Sequence, residues 1–99
     1  MARLRFRPRA NHDLRRIYLF IADFAGPASA RAIVAAIEAH CRTLLDYPHR
    51  GTPHPELRPG LRTVPVGKAV VAYRVDNRDV IIVRVRYGGQ QLTVEDVAD

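Results

Sequence analysis

Arginines in the last third of the chain supply the first candidate chemistry. Arg84 and Arg86 are two positions apart in an apolar, β-branched segment, so in a β-strand their guanidinium groups share a face. Arg62 and Arg74 fall in the two preceding segments of the same kind. A guanidinium offers a planar set of donors that suits phosphate and carboxylate groups. These four arginines are therefore candidates for a surface that binds an acidic protein or a nucleic acid.

The hairpin register decides whether these arginines converge. Regular alternation puts Arg84 on the face of Ile82. A three-residue loop at 76–78 would bring Arg74 to the side of Arg84, whereas a two-residue loop at 77–78 would put it on the opposite side. A shift of one residue exchanges the two faces of a strand, and the sequence leaves both registers open. The alternative to a binding surface is a solvated sheet face with alternating charges.

The same segment could instead carry nuclease chemistry. Cleavage of RNA without a metal needs a base, an acid and cations that stabilise the phosphorane. Arg62 and Arg84 could supply the cations and Tyr87 the proton donor, but the last strand offers no base. The four histidines occupy predicted helices and a proline-rich loop, away from the predicted sheet: His12, His40, His49 and His54.

Other reactive side chains have simpler interpretations. Cys41 lies on an apolar helical stripe, where a thiol behaves as a small hydrophobic core residue. His49 and His54 have no third partner nearby in the sequence, so their spacing does not indicate zinc. The sequence therefore predicts no metal site and no cofactor.

The elements that must position these groups begin with two helices. Leu14, Ile17, Ile21 and Phe24 recur at helical spacing, which predicts a helix over residues 11–25, capped by Asn11 or Asp13. A second apolar stripe predicts a helix over 28–46. Gly26-Pro27 separates the helices, as expected for a C-terminal cap followed by a first-turn proline. The two helices should form an antiparallel hairpin.

The remaining pattern predicts strands. Residues 3–7 alternate arginine with apolar residues, and three more strands are expected over 61–66, 68–75 and 80–87 after the proline-rich connection at 47–60. The order β-α-α-β-β-β predicts an α+β fold in which the helical hairpin packs on one face of an antiparallel sheet. The acidic segment 93–99 should be a frayed tail, and the whole chain, residues 1–99, a single domain.

Composition limits the class of partner. The chain has 99 residues and a formal net charge of +6, and Lys68 is its only lysine. A basic balance favours an acidic partner, either a protein or a nucleic acid. A single cysteine excludes an intrachain disulfide and favours a reducing compartment. No apolar run resembles a signal peptide or approaches the length of a membrane span, so we expect a cytoplasmic protein with no membrane partner.

The joint order of several motifs resembles the ParE/RelE toxins of type II toxin–antitoxin systems, over roughly residues 3–92. Each motif alone is unspecific, but their sequence and spacing together are hard to obtain by chance. They are Ala10-x-x-Asp13-Leu14-x-x-Ile17, Ala25-Gly26-Pro27, Leu44-Leu45-Asp46-Tyr47-Pro48-x-x-Gly51, Arg58-Pro59-Gly60-Leu61-Arg62-x-x-Pro65-Val66-Gly67-Lys68, Val71-Ala72-Tyr73-Arg74-Val75 and Ile82-Val83-Arg84-Val85.

The resemblance leans to the ParE branch and implies a protein that inhibits DNA gyrase by direct binding, without catalytic residues, and is neutralised by a cognate ParD-like antitoxin. Target or antitoxin contacts would then come from the exposed arginines and aromatics: Arg62, Arg74, Arg84, Arg86, Tyr87 and Tyr18. Tyr18 and Phe20 lie off the strict apolar stripe and could anchor the antitoxin, or could be core residues at the edge of the stripe. Direct binding of nucleic acid is a secondary expectation.

Two other functions remain open at this point. The resemblance to the RelE branch implies a metal-independent, ribosome-dependent endoribonuclease that uses Arg62, Arg84 and Tyr87. The family commonly places His-Gly-Ala-Arg-Asp, or a close variant, after the last strand, whereas this chain has Tyr87-Gly88-Gly89-Gln90-Gln91. That departure favours a third possibility, a decayed, non-toxic copy that still binds antitoxin.

Overall fold

A computed structural model describes residues 1–98 and contains two helices and five strands. The sheet order is β1-β5-β4-β3-β2. β1 runs parallel to β5, and every other pair is antiparallel. The elements are β1 (Leu4–Phe6), α1 (Pro8–Ala25), α2 (Pro27–Thr43), β2 (Thr52–Pro53), β3 (Arg62–Val66), β4 (Ala69–Asp76), β5 (Asp79–Tyr87) and a single 3-10 turn (Glu95–Val97).

The predicted α+β fold with a helical hairpin on a sheet is confirmed, with two differences in the sheet. β1 pairs in parallel with β5, with Leu4 opposite Val80 and Phe6 opposite Ile82. Pairing between the first and last strands is set by tertiary packing, so the order of elements does not give its direction. The proline-rich connection also contributes the short strand β2, which extends the sheet beyond β3.

The helix boundaries differ from the predicted ones at two ends. α1 begins at Pro8, not near residue 11, because proline suits the first helical position, where its fixed φ is helical and its missing N–H is not needed. Asp13 consequently lies inside the helix and is buried, so it is not a cap. α2 ends at Thr43, three residues before the predicted end at 46.

One apolar core fills the space between the helices and the sheet. The α1 stripe is confirmed for Leu14, Ile17 and Ile21, whereas Phe24 is exposed at the end of the helix. α2 contributes Ala30, Ile37 and Cys41, and Leu44 follows directly after it. The sheet residues of this core are Val64, Ala69, Val71, Tyr73, Val80, Ile82 and Val85.

Tyr73 ties the proline-rich connection to the core. Its side chain is fully buried, and its hydroxyl donates to the Pro48 carbonyl at 2.8 Å and accepts from the Gly51 amide at 2.9 Å. A Cβ atom on Gly51 would lie 2.6 Å from that hydroxyl, which explains why the position carries glycine. The loop after α2 is thereby fixed against β3 and β4.

We predict that Tyr73→Phe lowers the free energy of unfolding by about 1–3 kcal/mol, because the half-buried Pro48 carbonyl and the buried Gly51 amide lose their shared partner. Urea unfolding followed by circular dichroism measures the change. Tyr18→Phe is the matched control, because Tyr18 is half-buried and its hydroxyl makes none of the hydrogen bonds seen among residues 1–98. Equal stability of the two variants would contradict this role.

Candidate functional site

The candidate site begins with the β4–β5 hairpin. Its loop has two residues, because Asp76 pairs with Asp79. Asn77 adopts a φ of 58°, the left-handed conformation that tight two-residue hairpin turns require. With regular alternation this register would put Arg74 and Arg84 on opposite faces.

A β-bulge reverses that outcome. Tyr73 pairs with Ile82 and Ala72 pairs with Arg84, so Val83 is an extra residue on β5. A bulge of this kind resets the alternation of the residues that follow it. Arg84 therefore leaves the face of Ile82, contrary to the sequence expectation, and lies on the side of its partner Ala72.

Three arginines share that face, which we call the basic sheet face and define by Arg74, Arg84 and Arg86. Arg62 does not join them, because it shares the helical side of β3 with the core residue Val64. Its guanidinium donates to the carbonyl oxygens of His49 at 2.9 Å and Gly51 at 2.7 Å. Of the four arginines expected to share one face of the sheet, three do so, and Arg62 lies on the other face.

Arg84 is a buried, fully engaged side chain. Its Nε donates to Asp13 Oδ2 at 2.7 Å and its Nη2 to Asp13 Oδ1 at 2.9 Å, a bidentate pair. The hydrogen bonds to Asp13 raise the pKa of Arg84 above its ordinary value. The Val85 amide also donates to Asp13 Oδ2, at 2.9 Å. Arg84 therefore joins α1 to β5 and does not stand free for a ligand.

Asp13 takes this position because β1 is short. β1 pairs with β5 only as far as Ile82, so within residues 1–98 the edge of β5 beyond Ile82 has no strand partner on that side. A buried amide without an acceptor is costly, and the Asp13 carboxylate supplies that acceptor from α1. The sequence analysis did not predict this role of Asp13. A signal was present, because Asp13 lies at helical spacing from Ala10 and Ile17. A carboxylate on an apolar helical stripe indicates a buried ion pair.

The C-terminal segment covers the basic sheet face. The Asp96 carboxylate forms ion pairs with Arg84, at 3.5 Å, and with Arg86. Val97 is fully buried against Leu61, Ala72 and Val83. The sequence predicts a frayed tail at 93–99, but residues 95–97 form an ordered 3-10 turn, and Asp99 lies outside the described residues. The contacts that order this segment come from residues distant in the sequence, which local composition does not reveal.

A separate surface on α1 is aromatic and exposed. Phe20 and Phe24 are 61% and 68% exposed on α1. The Phe20 ring lies 5.2 Å from Phe24 and 6.5 Å from Tyr87, both edge to face. Tyr18, in contrast, packs partly against the core. We call Phe20, Phe24 and Tyr87 the aromatic rim.

The remaining candidate groups lie away from both surfaces. His54 contacts Thr63 Oγ1 at 2.9 Å and Glu56 Oε2 at 3.0 Å, and His40 contacts Arg50. Burial raises the pKa of the Cys41 thiol to about 12, which suits a core residue. Within residues 1–98, no three His, Cys, Asp or Glu side chains are arranged to hold a metal ion, and no helix is long and apolar enough to cross a membrane.

This arrangement of a helical hairpin on a five-stranded, mostly antiparallel sheet is the RelE/ParE-like fold. A chain of the chromosomal ParDE toxin–antitoxin system from P. aeruginosa has a TM-score of 0.77 and 26% identity, covering 88% of this chain and 96% of its own. A chain of the toxin–antitoxin complex RelBE2 from Mycobacterium tuberculosis has a TM-score of 0.64 and 25% identity, covering 86% of this chain and 95% of its own.

The sequence comparisons are more specific. Residues 4–92 match the family described as ParE toxin of type II toxin-antitoxin system, parDE. Toxin ParE3 of Caulobacter vibrioides is 34% identical over 92 residues, which are 93% of this chain and 91% of the relative. The chain belongs to the ParE toxin family of type II toxin–antitoxin systems.

We predict that Arg84→Gln lowers the free energy of unfolding by about 3–5 kcal/mol, because it leaves the Asp13 carboxylate buried without its cation. Asp13→Asn/Arg84→Gln should cost less than the sum of the two single changes, since both act on one pair. A double-mutant cycle from urea unfolding measures this coupling.

Arg74→Gln is the control for that cycle. Arg74 is partly exposed and lies 4.0 Å from Asp76, so its removal should change the unfolding free energy by about 1 kcal/mol or less. An Arg84→Gln variant as stable as Arg74→Gln would show that the buried pair does not hold the fold together.

Asp96 should make stability depend on acid pH. Hydrogen bonding to Arg86 lowers the pKa of Asp96 to about 2, so its stabilisation is fully present above its unfolded pKa, near pH 4. That stabilisation, about 2 kcal/mol, is lost as the pH falls through about 2. The difference in unfolding free energy between the unaltered chain and Asp96→Asn should therefore shrink from pH 6 to pH 2. A constant difference would contradict this assignment.

Proposed function

We propose that this chain is a cytoplasmic toxin that inhibits DNA gyrase by direct binding and is neutralised by a cognate ParD-like antitoxin. Its membership of the ParE family supports the toxin assignment. The likeness to chains of the P. aeruginosa ParDE system and the M. tuberculosis RelBE2 toxin–antitoxin complex supports an antitoxin partner.

The candidate catalytic side chains already contact other residues of the protein. This observation favours a protein that binds its target over an enzyme that cleaves RNA. The endoribonuclease alternative needs Arg62, Arg84 and Tyr87 to reach an RNA substrate. Arg84 is buried in its pair with Asp13, and Arg62 donates to two loop carbonyls. Tyr87 packs against Phe20. Cations already held by structural acceptors are poor candidates for stabilising a phosphorane, so the geometry favours a protein that binds its target.

Two exposed surfaces are suited to two partners. We assign the aromatic rim to the target, because large aromatic side chains dominate interface energetics and the rim adjoins the segment after Tyr87. We assign the outer groove between α1 and α2 to the antitoxin. Leu14, Tyr18 and Val34 line this groove beside Arg15, and Leu19 is 55% exposed there. An apolar groove with a basic margin suits an amphipathic helix with acidic flanks.

A supercoiling assay with purified gyrase tests the proposed activity. The protein should abolish supercoiling in a concentration-dependent way, and the purified antitoxin should restore it. Unchanged supercoiling over an excess of protein would overturn gyrase inhibition. Truncated transcripts after induction would then indicate the endoribonuclease, and absence of growth arrest would indicate the decayed copy.

Matched substitutions in the two surfaces test their assignment. Phe24→Ser should weaken gyrase inhibition by about tenfold or more, the cost of truncating an interface aromatic, and leave antitoxin binding unchanged. Leu19→Ser should do the reverse. Both residues are exposed on α1, so each variant controls for folding of the other. Equal effects of both changes on both partners would contradict separate surfaces.

A further inference from the structure

Residues 93–98 form an ordered segment, which we call the C-terminal strap. The Thr93 amide donates to Asp96 Oδ2 at 2.8 Å, and the Asp96 amide donates to Thr93 Oγ1 at 3.4 Å. This reciprocal pair is the capping-box arrangement. It holds one carboxylate oxygen of Asp96 within the strap and leaves the other, Oδ1, for the arginines.

The chain reaches the sheet face through a reversal after β5. Gly88 and Gly89 have φ values of 72° and 85°, a conformation that other residues rarely adopt. Gly88 and Gly89 therefore have a structural role, because they let the strap turn back over the basic sheet face.

The contacts of the strap show which chemical groups the groove on the basic sheet face can bind. Arg86 binds a carboxylate, and Arg58 Nη1 donates to the Val97 carbonyl at 2.8 Å. The Val97 side chain is fully buried in an apolar socket, whose lining includes Leu61, Ala72 and Val83. A carboxylate, a backbone carbonyl and an aliphatic side chain in this order are features of a peptide. A nucleic acid offers only the anionic group.

Arg86 is incompletely satisfied by the strap. It contacts Asp96 through Nη2, while its Nε is buried and has no acceptor among the described residues. Arg84, by comparison, uses both Nε and Nη2 on Asp13. A buried donor without a partner is costly, so a carboxylate able to bond both nitrogens of Arg86 would bind there better than Asp96 does.

Release of the strap needs little reorganisation. The strap follows an irregular connection, and its only regular structure is one 3-10 turn. Thr93, Val94, Glu95 and Ala98 are exposed, so its attachment depends mainly on Asp96 and Val97. Segments with few buried contacts open at low free energy without unfolding the rest of a domain.

We propose that the strap is a displaceable occupant of a peptide-binding groove on the basic sheet face. The groove accepts, from a protein partner, a segment in which Asp or Glu precedes an aliphatic residue. The carboxylate takes Nε and Nη2 of Arg86, and the aliphatic side chain replaces Val97. This inference does not depend on which cellular target the toxin binds.

Thiol reactivity of the full-length chain measures strap opening. Val97→Cys introduces a thiol that is buried when the strap is closed, and Val94→Cys introduces an exposed reference. Cys41 is buried and its pKa is raised to about 12, so the native thiol contributes little background. Val97→Cys should react at least about tenfold more slowly than Val94→Cys. Asp96→Asn should raise its rate about tenfold, whereas Glu95→Gln, which changes the exposed neighbouring carboxylate, should not.

Binding of a labelled peptide measures occupancy of the groove. The probe is the capped heptapeptide of residues 92–98, followed by fluorescence anisotropy, with the same peptide carrying Asn for Asp as its control. The probe should bind the Asp96→Asn chain about tenfold more tightly than the unaltered chain, because the strap no longer competes. The Glu95→Gln chain should bind it like the unaltered chain, and the Asn peptide should bind at least about tenfold more weakly.

Three results would overturn the proposal. Equal reactivity of Val97→Cys and Val94→Cys would mean that the strap is not closed. Equal binding of the Asp and Asn peptides, or no peptide binding when thiol reactivity shows an open strap, would mean that the groove does not select an acidic segment. Preferential binding of a short DNA duplex to the Asp96→Asn chain would assign the face to nucleic acid.

Discussion

The buried contact between Asp13, Arg84 and the Val85 amide is the interaction on which the rest of the structure depends. A three-residue β1 covers only part of the β5 edge, and the carboxylate from α1 completes it. Arg84 compensates the charge of that carboxylate and continues to the C-terminal strap through Asp96. One guanidinium therefore connects the helical layer, the sheet and the end of the chain.

A small domain gains rigidity from such polar contacts because its apolar core is limited. Arg62 holds the loop after α2 through two carbonyls, beside Tyr73, whose hydroxyl bonds the same loop. Arg58 holds the strap through the Val97 carbonyl. Arginine is suited to this use because its fixed planar donors match carbonyl and carboxylate acceptors with little loss of entropy. The basic composition is thus partly structural, and only some of the charge is available to partners.

The distribution of engaged and available groups shapes the functional proposals. The two arginines that catalysis would need, Arg62 and Arg84, are occupied by structural acceptors, whereas the aromatic rings of Phe20 and Phe24 on α1 are exposed. On the sheet, Arg86 keeps a donor that the strap does not use. A toxin whose basic face is closed by its own acidic segment would bind other acidic segments only after the strap opens.

The sequence by itself determined the elements and the class of fold. Helical spacing of Leu14, Ile17 and Ile21, β-branched runs and the Gly26 break are local patterns, and local patterns fix local structure. The motifs also gave the family, since their order along the chain needs no three-dimensional information.

The tertiary structure alone decided which side chains meet at the candidate site. One extra residue, Val83, moved Arg84 to the other face of the sheet, and a bulge depends on pairing across strands. The partners of Arg84, Asp13 and Asp96, are 71 and 12 residues away, and contacts at such separations are fixed only when the whole chain packs.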